Sequence, residues 1–288
     1  MSCLTQFGTL NVIHHYCDIG VWTRMAIKFS ERVAFVDERT DSVLTTLAQL
    51  GGYCTAEQAQ AMGLAKSPSQ TLSRLNGLEQ TGFLRRVAVY PVVYQITKSV
   101  VRLVGPDMSA RRVHRVPSVR WRLATVSFYL DARRWPAEFI FLHEKKVAAF
   151  EELGCPRQSL PHRGGQPYLW EDLLVDPHDG GLCLTIVDRA HWNPFRQLRA
   201  FVRRYAAARS SLGEKLSLTV AVGSDARRRL YERAAKHPKV LAHAKGAHEA
   251  ATVYQVSTPI PQVRTLSHEP VVHTHEPVIH TNTDSRRP

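Results

Sequence analysis

The sequence predicts an α+β chain in which three helices and a β-hairpin are followed by a small α/β domain with a mixed sheet, and two patterns carry that prediction. From Asp41 to Gly105, helical apolar spacing punctuated by glycine gives way to strand-like alternation. From Ala137 to Val256, short apolar runs alternate with amphipathic segments, the mark of a sheet covered by helices. A third observation concerns charge: 38 Lys and Arg face 25 Asp and Glu, a formal +13, which favours a polyanionic partner.

Taken in order, Val43, Leu44, Leu47 and Leu50 fall on one face of a first helix, and Gly51-Gly52 closes it. Thr55-Ala56-Glu57-Gln58 has the form of a capping box opening a short second helix that ends at Gly63. A third helix opens at Ser67, with Pro68 where a missing N–H costs nothing and Gln70 completing a second box. Leu72, Leu75 and Leu78 are expected inside. Ser69, Gln70, Ser73, Arg74 and Asn76 are left outside, and these are residue types that bond base edges and phosphates. After Thr81-Gly82 the period becomes that of a hairpin, Phe83 to Val89 and Val92 to Ile96 around a Tyr90-Pro91 turn. Thr97 then caps a helix carrying Val100, Val101, Leu103 and Val104.

Three helices, a hairpin and a returning helix make a winged helix-turn-helix over residues 41–105. In such a fold the third helix, with Ser67, Ser69, Gln70, Ser73 and Arg74, is expected in a major groove of double-stranded DNA. Arg85, Arg86 and Tyr90 on the wing are expected on the adjacent backbone or minor groove. Winged helices also serve as protein–protein modules, and it is the basic balance, with a pI near 9.8, that tips the reading toward DNA.

Composition fits one or two globular domains, with 44% hydrophobic and 22% charged residues. No apolar run approaches the roughly 20 residues that span a bilayer, and the start lacks the basic region and cleavage site of a signal peptide, so a cytoplasmic protein without membrane contact is expected. Cys3, Cys17, Cys54, Cys155 and Cys183 contain no C-x-x-C and are expected to be reduced thiols. Residues 1–40 are read as an arm; because Met25-Ala-Ile-Lys-Phe-Ser-Glu-Arg has the form of an ordinary start, residues 1–24 are expected to reflect a misassigned upstream start codon. Residues 257–288 are read as a disordered tail around the tandem repeat His268-Glu-Pro-Val-Val-His-Thr and His275-Glu-Pro-Val-Ile-His-Thr, whose histidines are assigned no chemistry.

Residues 106–136 form a basic helical bridge with Arg111, Arg112, Arg115, Arg120, Arg122, Arg133 and Arg134. Its apolar positions Val119, Leu123, Val126 and Leu130 predict one core face and one cationic face, and Arg111 and Arg112 on the latter are expected to extend the phosphate footprint of the winged helix. Within 137–256 the spacing predicts strand 138–142, helix 144–153, a loop over 155–167, strand 168–175, a turn over 177–181 and strand 182–187. A long helix over 194–210, strand 216–222 and helix 225–235 follow. The long helix buries Phe195, Leu198, Phe201, Val202 and Tyr205 and leaves Arg196, Arg199, Arg203, Arg204 and Arg209 outside, so Arg199 and Arg203 are expected to extend the phosphate footprint.

The order β-α-β-β-α-β-α is also that of restriction-endonuclease-like nucleases. A metal-dependent nuclease would need an acid near the turn and an acid-x-lysine pair on the next strand. Glu171, Asp172, Asp176 and Asp179 offer the first acid, but the next strand reads Leu184-Thr185-Ile186-Val187-Asp188-Arg189 and has no such lysine. The expectation is a degenerate core without catalytic residues, metal ligands or cofactor. No phosphate-binding loop, dinucleotide fingerprint, H-E-x-x-H or nucleophile elbow is present either.

From Asp41 to about Val240 the chain resembles the winged-helix replication-relaxation and mobilisation accessory proteins of plasmids and integrative conjugative elements. The resemblance rests on Thr55-Ala-Glu-Gln-Ala, on the run Ser73 to Arg86, on Val93-Tyr94-Gln95-Ile96-Thr97, on Thr185-Ile-Val-Asp188-Arg189 and on the Arg-rich helix ending in Tyr205. The family's pattern places a Glu two residues before the strand-end Asp, where this chain has Ile186. The resemblance implies a DNA-binding accessory factor in replication control or mobilisation, acting with relaxase or replication proteins; separately, because winged-helix factors often bind paired half-sites, the basic second domain is a candidate for docking a partner protein or holding a homodimer together. The alternatives are a transcriptional regulator of a mobile element or the nuclease above.

Overall fold

Helix α1 (Glu38–Gln49) starts ahead of Asp41 because Asp37 caps it, its carboxylate accepting the Thr40 N–H at 2.8 Å. The computed structural model describes residues 36–89, 91–104, 114–169, 172–244, 251–257 and 260, all within one compact unit that begins at Val36. The expected start at Met25, most of the arm, Tyr90, Arg111, Arg112, Glu171 and the histidine repeat of the tail lie outside the described residues.

Val43, Leu44 and Leu47 of α1 are buried, as their spacing predicts. Gly51 and Gly52 turn the chain with φ of 99° and 81°, and a Cβ on either would strike Arg122 or Ile96. The turn delivers β1 (Tyr53–Thr55), a strand too short to leave a period in the sequence. Thr55 then caps α2 (Ala56–Ala61) with both halves of the predicted box in place. Ser67 caps α3 (Pro68–Gln80) by accepting the Gln70 N–H at 3.3 Å; of this second box only the hydroxyl half forms among the described residues. The hairpin of β2 (Leu84–Val89) and β3 (Val92–Ile96) carries a bulge between Arg86 and Ala88. Helix α4 (Lys98–Val104) follows, led by Thr97, whose hydroxyl accepts the Ser99 N–H. β1 pairs antiparallel with β3, so the sheet has three strands in the order β1-β3-β2 rather than two.

Two sequence expectations are corrected here. On α3 the buried face is Thr71, Leu75 and Leu78, and Leu72 is 44% exposed. Thr71 can be buried because its hydroxyl donates to the Ser67 carbonyl at 2.9 Å, and 71, 75 and 78 keep the i, i+4, i+7 face that 72, 75 and 78 do not.

The second correction concerns the bridge helix α5 (Val116–Ala132), which over its carboxyl-terminal half is buried nearly all round instead of presenting one cationic face. Val119 and Leu123 pack with Tyr53, Ala88 and Val93, whereas Ala124, Phe128 and Leu130 join a core containing Leu44, Leu173 and Val187. Gln58, the capping glutamine, also donates to the Leu123 carbonyl and the Ser127 hydroxyl. Arg122 points inward as well, donating to the Gly51 carbonyl at 2.7 Å and lying over the Tyr53 and Trp121 rings.

The rest is a mixed sheet with helices. β4 (Glu138–Ile140), α6 (His143–Glu152) and a small hairpin, β5 (His162–Arg163) and β6 (Gln166–Pro167), come first. β7 (Leu173–Asp176), β8 (Leu182–Val187), α7 (Pro194–Arg204) and α8 (Ala206–Leu212) follow. β9 (Leu216–Val222), α9 (Asp225–Ala235), α10 (Pro238–Leu241) and β10 (Thr252–Gln255) complete it. The strand order is β10-β9-β8-β7-β4, parallel from β10 to β8 and antiparallel from β8 to β4. Predicted strand 168–175 contracts to Leu173–Asp176, the predicted long helix breaks at Tyr205, and β10 went unpredicted.

Both sheet faces are covered. Leu173, Val187 and Ala221 share a core with α5, while Leu174, Leu184, Leu218 and Val220 meet Leu198, Phe201 and Val202 of α7 and Tyr231 of α9. Among the described residues no helix is long and apolar enough to cross a membrane.

Candidate nucleic-acid interface

Helix α3 turns Ser69, Gln70, Leu72, Ser73 and Asn76 to solvent. The side chains of Ser69, Gln70 and Ser73 bond no described residue, so their donors and acceptors face outward. Ser67 is committed to its cap. Arg74 is half-buried, its guanidinium 2.8 Å from Asp37 and 3.3 Å from the Thr40 hydroxyl. These bonds, led by Thr40 and followed by Arg74, hold the Asp37 carboxyl down at about 2.

On the hairpin, Arg86 pairs with Glu79 at 2.7 Å, bonds Asn76 at 3.2 Å and lies over the Tyr94 ring. Arg85 donates through Nε to Gln95 at 2.9 Å, and its buried Nη2 has no described partner. Exposed ion pairs such as Arg74–Asp37 and Arg86–Glu79 contribute only about 0–1 kcal/mol, so either arginine can swing to a phosphate at little cost.

A second cationic surface runs along α7. Asn193 caps the helix by accepting the Arg196 N–H at 3.2 Å, and Pro194 occupies its first turn. Arg196, Arg199 and Arg203, spaced i, i+3 and i+7, share one exposed face, and none makes an ion pair with a described residue. Arg199 and Arg203 were expected there, and Arg196 belongs with them.

Two of the buried acids, Asp172 and Asp188, are held by cations and phenols. Asp172 accepts from Arg204 at 3.1 Å and from the Tyr205 hydroxyl. Its carbonyl, with that of Leu169, receives the buried Lys146 ammonium at 2.6 and 3.2 Å. Burial pulls the Lys146 amine down to about 8, with the Asp172 charge opposing that fall; burial and the same carboxylate push the Tyr205 phenol well up.

At the carboxyl end of β8, Asp188 takes a two-pronged bond from Arg227 at 2.7 and 2.6 Å and a third from Tyr231 at 2.8 Å. Burial first, then Asp188, raises the Tyr231 phenol. Asp176 and Asp179 shape the β7–β8 turn by accepting the N–H groups of His178 and Gly181. Among the described residues no group of three or more His, Cys, Asp or Glu side chains stands close enough to hold a metal ion.

The chain matches no family model, no curated protein and no solved structure. Sequence reasoning misses Arg189 and Trp192, just beyond Asp188. The Arg189 guanidinium lies 4.3 Å from the Trp121 ring and 4.7 Å from that of Trp192, and Trp192 is 45% exposed. A tryptophan in a polar loop ahead of an Asn-Pro helix start is the signal that could have found them.

Proposed function

We propose that this protein binds double-stranded DNA through a winged helix-turn-helix formed by α1 to α4 and the β1-β3-β2 sheet, with α3 in the major groove. The observation that carries the reading is the outer face of α3. It offers Ser69, Gln70 and Ser73 with no described partner beside an exposed Leu72, a set of polar groups for base edges and an apolar one for a thymine methyl. Arg86 on the hairpin and the open arginines of α7 support the reading by offering phosphate contacts on a chain of formal charge +13, whereas Arg85, turned onto buried Gln95, does not. Following the family resemblance, the DNA-bound protein serves replication control or mobilisation of a mobile element as a non-enzymatic accessory factor, with relaxase or replication proteins as partners.

The test is selection of duplexes from a random pool, followed by titration of the selected and scrambled sequences. Replacing Gln70→Ala together with Ser73→Ala should cut the preference for the selected duplex roughly 5- to 150-fold, the equivalent of one good base contact. Replacing Arg86→Ala should weaken both duplexes alike and flatten the dependence of log affinity on log salt by about 0.9 if it neutralises one phosphate. A pool that yields no enriched sequence, or an α3 variant with an unchanged preference, overturns the reading.

A further inference from the structure

We infer that Trp192 and the outer face of α7 form a binding site for an unpaired DNA strand, distinct from the duplex-reading face of α3. The inference takes its ligand class from the proposed DNA binding and adds a site to it.

An exposed tryptophan alone means little, because scattered apolar side chains are normal on protein surfaces. This one is mounted. Its backbone N–H donates to the Arg189 carbonyl at 2.6 Å, and its own carbonyl accepts from Arg227 at 3.0 Å, whose guanidinium is fixed on buried Asp188. The indole is further braced by the Arg189 guanidinium, which Trp121 backs from a second ring. A ring held this way has already lost the freedom that binding would otherwise take from it. Beside it, Trp121, Arg189, Trp192, Ala200 and Arg204 contribute to the walls of a cleft of about 100 Å³.

Bases of a single strand expose their π-faces and stack on such rings with little regard to sequence, each stack contributing roughly 1–3 kcal/mol. Helix α7 begins two residues after Trp192. Its exposed arginines 196, 199 and 203 span about 10 Å of helix axis, from a rise of about 1.5 Å per residue, and they meet no acid among the described residues. A cationic track beside a stacking platform is what an unpaired strand requires. A duplex, whose bases are already stacked, would use the track and leave the indole idle.

The test titrates the full chain with labelled oligodeoxythymidine of about 12 nucleotides, the matching duplex and oligouridine, a length within the range that one such platform occupies. Replacing Trp192→Ala should weaken oligodeoxythymidine binding roughly 5- to 150-fold and leave the duplex within about twofold, with Trp192→Phe recovering most of the affinity. The Gln70→Ala, Ser73→Ala variant should lose duplex preference and keep the single strand. Unchanged oligodeoxythymidine affinity in Trp192→Ala, or a strong preference for oligouridine, overturns the inference. Wild-type protein that binds duplex but not oligodeoxythymidine removes this site and leaves the α3 reading standing; protein that binds neither removes both.

Discussion

Helices α7 and α9 each carry four arginines, yet only α7 presents an open cationic face. In α9, Arg227 closes on Asp188, Arg228 bonds Asp225 and Glu232, and Arg229 shares Asp225, so three of the four are engaged. In α7 only Arg204 reaches an acid, Asp172, while Arg196, Arg199 and Arg203 meet none among the described residues. The difference lies in neighbours rather than number. Asp225 and Glu232 sit one turn from the α9 arginines, and α7 has no acidic residue of its own. Charge counted along a sequence thus overstates the charge left for a ligand wherever acids recur at helical spacing.

The largest effect expected from this contrast follows Asp188→Ala, which removes the charge partner of the half-buried Arg227 guanidinium and leaves it only the Trp192 carbonyl, while the Tyr231 hydroxyl falls back on Gln197. Removing one partner of such a pair should cost about 3–5 kcal/mol, nearer the lower figure because Arg227 keeps some exposure, against about 0.5 kcal/mol or less for Arg203→Ala. Urea unfolding of the two variants measures both, and equal destabilisation would erase the distinction between structural and surface arginines.

Next in size is Lys146, a cation with a third fate, buried on backbone carbonyls. Its folded pKa of about 8 lies below the ordinary 10.5, so between these values the unfolded chain binds the proton that the native chain has released. Stability should therefore rise with pH across that window, by on the order of 1–3 kcal/mol, and Lys146→Met should remove the rise. Parallel stability–pH profiles of the wild type and the variant would place Lys146 outside the window's cause.

The smallest effects compare the two helices directly. On the proposed reading, Arg199→Ala with Arg203→Ala should flatten the salt dependence of DNA binding by up to about 2 units of log–log slope, whereas Arg228→Ala with Arg229→Ala, which removes only solvent-exposed ion pairs, should leave it unchanged. A slope change from the α9 pair would mean that its ion pairs open on DNA.

Local rules read much of this molecule correctly. β8, β9 and α9 occupy the predicted residues because apolar runs, the Pro177–Gly181 turn and the Ser224 cap all mark their ends. The Thr55 box was legible for the same reason, being complete within four residues. What escaped depends on distant contacts. β1 and β10 exist through pairing with β3 and β9, α5 is buried over its carboxyl-terminal half because packed elements meet it from two sides, and Leu72 yielded the inner face to a threonine whose hydroxyl was satisfied one turn back. Of the candidate site, the α3 surface and the α7 arginines were visible as residue types. Arg74 and Arg86 on their acids, and Trp192 on its mount, belong to tertiary geometry that no spacing encodes.

Helix α5 also joins the two surfaces. Because it contributes Val119 and Leu123 to one core and Phe128 and Leu130 to another, and is pinned by Gln58 and Arg122, the faces of α3 and α7 are set in one solid frame rather than strung on a tether. Two sites on a flexible linker search for each other's ligands at an effective concentration that linker length sets. On the proposed reading, two DNA-binding faces on a shared frame would act instead as a caliper, selecting junctions whose paired and unpaired arms diverge at the angle the frame dictates.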